Sequence, residues 1–107
     1  MMEIRGVNVF PSQIESVLMT VQGIGPHYQI IVTNEQFMDK LEIQVELVDG
    51  QLLERYAELQ RLTEEIHQKI RTVLQLDVKV TLLNPKTLER TVGKARHVID
   101  LRQNRTF

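Results

Sequence analysis

The run Leu41-Glu42-Ile43-Gln44-Val45-Glu46-Leu47 alternates apolar and polar side chains without a break. Successive residues of a β-strand point to opposite faces. The period of two therefore predicts a strand with Leu41, Ile43, Val45 and Leu47 buried and Glu42, Gln44 and Glu46 in water. Such a strand needs a cover over its apolar face and neighbours along its edges, and the flanking sequence supplies both. Ile14, Val17, Leu18 and Val21 fall at i, i+3, i+4 and i+7, the stripe of an amphipathic helix. Ser12 and Glu15 have capping-box spacing, Pro11 lies beside them, and Gly23 is a natural stop. Downstream, Leu52, Tyr56, Leu59, Thr63, Ile66, Ile70 and Val73 trace one face of a long second helix.

Further strands are predicted from about Tyr28 to Thr33, through Val78, Val80 and Leu82 up to the break at Asn84-Pro85, and at Val98 to Leu101. The polar segment 34–40 predicts a hairpin between the strand at Tyr28 and the alternating strand. A strand-like run also begins within three or four residues of Met1, ahead of the first helix. The order strand, helix, strand, strand, helix, strand predicts an α+β fold of the ferredoxin-like βαββαβ kind. Its antiparallel sheet would carry two helices on one face, with a C-terminal loop and short strand appended. At 107 residues the chain is expected to form a single domain over 1–107.

Charge and composition narrow the function classes. Lys and Arg number 13 against 14 Asp and Glu, so no strong positive field favours nucleic acid. Tyr28 and Phe37 are far short of a base-stacking platform. There is no cysteine, which removes disulfides and thiolate metal sites. His27, His67 and His97 share no metal-ligand spacing, and no metal site is expected; His67, among Glu and Gln, reads as solvated. No apolar run reaches the roughly 18–20 residues that span a bilayer, and no signal-peptide core opens the chain. A cytoplasmic location is the expectation. Because the start reads as the middle of a folded unit, we expect a piece of a longer protein or a naturally short relative of one.

Two places carry candidate chemistry. In Arg90-Thr91-Val92-Gly93-Lys94, a glycine that lets the backbone approach a ligand precedes a lysine, near Lys86, Arg96 and Arg102. The lysine is either a solvated surface residue or a point charge for a phosphate or carboxylate. The pair is not a phosphate-cradling P-loop, because Leu88 stands where the first glycine belongs and Ala95 replaces the hydroxyl residue. Near the start, Arg5-Gly6-Val7-Asn8 reads either as a strand with an exposed arginine and a glycine bulge, or as a ligand-facing segment.

Together, Arg5-Gly6-Val7-Asn8-Val9-Phe10-Pro11-Ser12-Gln13-Ile14-Glu15 and Arg90-Thr91-Val92-Gly93-Lys94-Ala95-Arg96 resemble the C-terminal domain of phenylacetate-CoA ligases, members of the adenylate-forming acyl-CoA synthetase superfamily. The stretch from Gly23 to Thr33 resembles the family's strand after the first helix. The resemblance implies a two-step reaction. An aryl acid and ATP, with Mg2+, give an acyl-adenylate, and CoA then gives the thioester and AMP. It also implies a partner, the enzyme's own N-terminal adenylation domain. That domain and the hinge aspartate are expected ahead of residue 1, and the fragment alone is not expected to be active. In one pose of the mobile lobe, Lys94 after Gly93 would reach the carboxylate and α-phosphate. In the other, Arg5, Gly6, Val7 and Asn8 would line the CoA channel. Thr91 replaces the family's usual serine conservatively, whereas Val92 is apolar where the family carries an acidic or polar residue.

The alternative is a stand-alone ferredoxin-like module that binds a small ligand or regulates through its sheet. An exposed edge strand in the hairpin would then let two copies pair as a homodimer.

Overall fold

The computed structural model describes residues 2–88 and 98–102. Two short strands open the chain, β1 (Met2–Ile4) and β2 (Val7–Val9), paired antiparallel with Ile4 opposite Val7. Arg5 and Gly6 connect them with φ of 52° and 78°. Two successive positive φ values make the tight reversal of a two-residue hairpin. The expected first sheet strand with a bulge is therefore a separate two-stranded ribbon. Ile4 and Val9 still reach the main core.

Helix α1 (Pro11–Leu18) starts one residue before the expected cap. Proline takes the first helical position, where its missing N–H costs nothing. Gln13, not Ser12 or Glu15, reaches back: its Oε1 accepts from the Phe10 backbone N–H at 3.0 Å. Ile14, Val17 and Leu18 are buried, as the spacing requires.

Strands β3 (Ile24–Glu35) and β4 (Met38–Leu47) form a long antiparallel hairpin whose pairing is irregular between Ile24 and Tyr28. Both strands extend farther than the apolar pattern indicated. The turn is only Gln36-Phe37, with φ of 52° and 66°, a glycine-free version of the same tight reversal. Chain then passes through a 3-10 turn (Gly50–Glu54) into α2 (Tyr56–Leu74), which ends on Gln75 at φ 57°. The buried stripe of α2 is Ile66, Ile70 and Leu74, with Leu59 and Leu62 partly buried beside it. Tyr56 and Val73, expected on that stripe, are 74% and 46% exposed. The helix begins at Tyr56 rather than Leu52, so Tyr56 is its first residue, and Val73 lies in its last turn. Neither helix is long and apolar enough, among the described residues, to cross a membrane.

Strand β5 (Lys79–Leu83) pairs parallel with β4, and β6 (Val98–Asp100) pairs parallel with β3. The four-stranded order is β5-β4-β3-β6. The α+β class, the two helices and the short final strand agree with expectation. The sheet is mixed rather than wholly antiparallel, because α2 is a crossover that returns the chain alongside β4 in the same direction. Among the described residues both hairpin strands have a neighbour on each side, β4 along Glu42–Glu46 and β3 along Ile30–Val32, so the expected exposed edge is covered over those stretches. The fully buried Ile30, Val32, Ile43 and Val45 share one core with α1 and α2. Both helices therefore cover the same sheet face.

The corrected stripe is testable by urea unfolding. Ile70→Ala should cost about 2–5 kcal/mol as a buried large-to-small change. Val73→Ala should stay within about 1 kcal/mol, because half-exposed side chains leave little cavity. Equal losses would contradict the assigned face.

Candidate functional site

The glycine of the early motif works through its backbone. At φ 78° Gly6 occupies a region where an L side chain is strained, yet a Cβ built there would meet no heavy atom within 4 Å. Glycine is thus required by the turn, and the space in front of it is open. Arg5 is the unusual member. Two-residue turns of this kind prefer Asn, Asp or Gly at their first position, and a bulky residue held there costs roughly 1–2 kcal/mol. Contacts to the β3–β4 hairpin offset that cost. Arg5 Nε donates to the Asp39 carbonyl at 2.9 Å, and the Arg5 N–H points at Asp39 Oδ2 from a long 3.5 Å. One good hydrogen bond nets about 0.5–1.5 kcal/mol, comparable with the strain. Arg5, Gly6 and Asn8 are exposed, whereas Val7 packs against the core and is structural. The Arg5 guanidinium makes no ion pair among the described residues.

Asp39 is itself held in place. Asn34 Nδ2 donates to its Oδ1 at 2.9 Å, and Arg102 Nη1 to its Oδ2 at 3.1 Å. Arg102 also grips Asp100 through Nε at 3.0 Å and Nη2 at 2.7 Å, a two-pronged pairing, and its Nη1 donates to the Glu3 carbonyl at 2.7 Å. Strand β1, the β3–β4 hairpin and the end of β6 thus meet at one guanidinium. The Asn34 hydrogen bond first, and then the contacts from Arg5 and Arg102, hold the Asp39 carboxyl below the usual carboxylate range. The Arg102 hydrogen bonds do the same to Asp100.

Gly93 and Lys94 lie outside the described residues, as do Arg90, Thr91, Val92, Arg96 and His97. The residues leading into that segment are described, and they overturn one expectation. Glu46, placed in water by the alternation, is 2% exposed. Its Oε1 accepts from the Lys86 N–H at 2.9 Å and its Oε2 from the Leu88 N–H at 2.6 Å. The chain after β5 turns at Asn84–Thr87, with Lys86 at φ 64° and Thr87 Oγ1 donating to the Asn84 carbonyl at 2.6 Å. It folds over the Glu46 side chain, and the two backbone donors compensate the carboxylate for lost water. Farther along the same face, Thr81 donates to Glu42 at 2.7 Å.

Strand β4 therefore carries both anchors. Asp39 and Glu46 are seven positions apart, about 23 Å along the strand at roughly 3.3 Å per residue. An odd separation also puts them on opposite faces of the sheet. The Arg5-Gly6 turn sits at one end, on the helix-covered side. The segment leading to Gly93 and Lys94 departs from the other end, on the open side.

The remaining features are less telling. His67 is not simply solvated, because its Nε2 lies 2.9 Å from Asp77 Oδ1. The Tyr28 hydroxyl donates to Glu15 at 3.3 Å, and burial together with that carboxylate pushes its pKa up to about 12. A shallow apolar groove of about 610 Å³ between α1 and α2, lined by residues such as Gln13, Val17 and Thr72, includes none of Arg5, Gly6, Val7 and Asn8. Asp39, Glu46 and Arg102 had no such signal. Asp39 sat in a segment taken as polar turn, Glu46 in a strand's wet face, and Arg102 only in a count of basic neighbours.

Comparison with known proteins settles the family. The model for the AMP-binding enzyme C-terminal domain matches residues 6–102. This chain belongs to that family. A phenylacetate-coenzyme A ligase of Thermus thermophilus is 38% identical over 96% of this chain, which spans 26% of that protein's length. Among solved structures, a 2-hydroxyisobutyryl-CoA ligase in complex with 2-HIB-AMP and CoA, in its thioesterification state, is similar at TM-score 0.84 and 37% identity. It covers 94% of this chain and 21% of that one. A domain of phenylacetate-coenzyme A ligase from Bacteroides vulgatus gives TM-score 0.83 and 30% identity, covering 97% and 94% of the two chains. The chain thus spans about a quarter of the length of the curated relatives it matches.

The Arg102 network predicts an acid dependence. Asp39 and Asp100 have folded pKa values below their unfolded ones, near 3.9. The stability they confer is present above that value and lost as pH falls through the folded pKa. Arg102→Met should therefore destabilise the lobe more at pH 7 than at pH 3 in urea unfolding. Stability curves that run parallel at the two pH values would contradict the network.

Proposed function

We propose that this chain is the mobile C-terminal lobe of an AMP-forming acid–CoA ligase, with an aryl acid of the phenylacetate type as substrate and the enzyme's own adenylation domain as partner. The observation that carries the reading is the two-ended arrangement on β4. The Arg-Gly turn and the base of the Gly93-Lys94 segment depart from opposite ends and opposite faces of one rigid strand, so a single active site meets them in turn as the lobe rotates. The 2-hydroxyisobutyryl-CoA ligase supports this: it has been solved in a thioesterification and in a postadenylation state, and this chain matches its lobe in both, at TM-scores of 0.84 and 0.80.

In the first half-reaction a carboxylate oxygen of the acid attacks the α-phosphorus of ATP, forming the acyl-adenylate and releasing pyrophosphate. Lys94 is assigned to this step. Its ammonium would lie between the carboxylate and the α-phosphate and offset the negative charge that builds there. In the second half-reaction the CoA sulfur attacks the acyl carbon, AMP leaves, and the thiol proton passes to solvent. Arg5, Gly6, Val7 and Asn8 are assigned to this step. Gly6 lets the pantetheine arm run close to the backbone, the exposed Arg5 guanidinium offers charge to a CoA phosphate, and Val7 braces the turn from the core side. Gly93 is assigned to let the backbone beside Lys94 approach the ligand closely. No three His, Asp or Glu side chains converge among the described residues. The Mg2+ that accompanies ATP is accordingly assigned to the adenylation domain, and no step here runs through it.

Half-reactions separate the roles. In the intact ligase Lys94→Ala should slow adenylate formation, read as pyrophosphate release, by about 100-fold or more, on the scale of losing one aimed charge. Thioester formation from preformed acyl-adenylate should stay within about threefold. Equal loss in both steps would argue against the assignment, and no loss in either would favour a small-ligand or regulatory module.

A further inference from the structure

We infer that Asp39 and Arg102 are positioning residues for the thioester-forming step, acting through the Arg5-Gly6 turn. The inference rests on the reading of that turn given above. It starts from a mismatch between the ribbon and its task. Strands β1 and β2 pair over only three residues a side; Ile4, Val7 and Val9 seat the ribbon on the core, but the exposed Arg5 and Gly6 at the tip take no part in that packing. The tip is fixed from outside instead. Asp39 holds the Arg5 Nε through its backbone carbonyl and faces the Arg5 N–H with its carboxylate. Arg102 binds that carboxylate and, from the same Nη1, the carbonyl of Glu3 two residues before the tip. Its remaining nitrogens are committed to Asp100, so the guanidinium cannot swing.

The bonding also sorts the two arginines. Arg102 is spent on internal partners, with its side chain 25% exposed. Arg5 uses Nε on Asp39 and keeps an exposed guanidinium edge. A device meant only to weld β1 to the sheet has no need of a strained arginine at the turn; a device that aims a cation and an open glycine at a ligand does. Arg102 carries one charge against the two carboxylates of Asp39 and Asp100 and offsets Asp39 only in part, while the Arg5 side chain meets Asp39 at its backbone carbonyl and not at its carboxylate.

The test uses the intact ligase and follows the two half-reactions separately, with melting temperature as the fold control. Asp39→Asn and Arg102→Met should each slow thioester formation from preformed acyl-adenylate by about 10- to 100-fold, the scale of an ångström of misplacement. Adenylate formation should stay within about twofold. The double variant should be no slower than the worse single one, because both act on one tip. Arg102→Lys, which keeps the charge and loses the fork, should fall between and guards against a variant that fails to fold. Gly6→Asn tests the underlying reading, since asparagine tolerates the turn while adding bulk in front of it. If Gly6→Asn slows the thioester step and the Asp39 and Arg102 variants do not, the inference fails and the reading of the turn stands. If Gly6→Asn leaves that step unchanged, the reading fails as well. Parallel loss of both half-reactions with a lowered melting temperature would also overturn the inference, making the network a weld.

Discussion

Everything in this lobe is referred to β4. It is the strand with neighbours on both edges that also carries the full apolar alternation, and its buried residues tie both helices to the sheet. A strand paired on both sides and packed on one face is stiff, so what is attached at one end keeps a fixed relation to what is attached at the other. The Asp39 end holds the Arg-Gly turn, and the Glu46 end holds the chain that leads to the lysine. Rigidity makes the arrangement useful. Under the proposed reading, a lobe that bent would bring both elements toward a substrate at once or neither, whereas one that stays rigid would exchange them by turning as a body.

The two anchors use different physics, matched to where they sit. Glu46 is buried, and a buried carboxylate is tolerated only with donors to satisfy it, here two backbone N–H groups from residues 40 and 42 positions away. That bonding is sequence-tolerant at the donors, which keeps the loop base in place whatever side chains it carries. Asp39 is only partly covered, and the Asn34 amide and the Arg102 guanidinium, from separate elements, hold its carboxylate. Such a network fixes direction more than it adds stability, in keeping with the modest worth of half-exposed ion pairs.

Much of this was legible in the sequence, for identifiable reasons. The period of two in Leu41–Leu47 and the helical spacing of Ile14, Val17 and Leu18 are strong because one face is buried along their whole length. Legibility fell where distant residues decide. Glu46 obeys the alternation that puts it in water and is buried only because residues 84–88 fold over it. The turn Gln36-Phe37 carries no glycine or asparagine to announce it, and it shortened the predicted strands on both sides. Tyr56 and Val73 fit the helical stripe but lie in the first and last turns of α2, where they are exposed. The Arg-Gly motif was visible as a motif, but its form as a hairpin tip held by Asp39 and Arg102 depends on pairings 34 and 99 residues apart. The role proposed for Lys94 rests on resemblance alone, since no spacing distinguishes it from a surface lysine.

Alternate presentation of the two ends is the central claim, and distance measurement tests it most directly. The chain has no cysteine, so a single nitroxide label can be placed in the lobe through Asn8→Cys or Thr87→Cys, with a second label fixed on the adenylation domain of the intact ligase. Pulsed electron–electron resonance then compares the acyl-adenylate complex before and after CoA is added. The account predicts that the distance from position 8 shortens while that from position 87 lengthens. Two distances that shift in the same sense, or that ignore CoA, would contradict it.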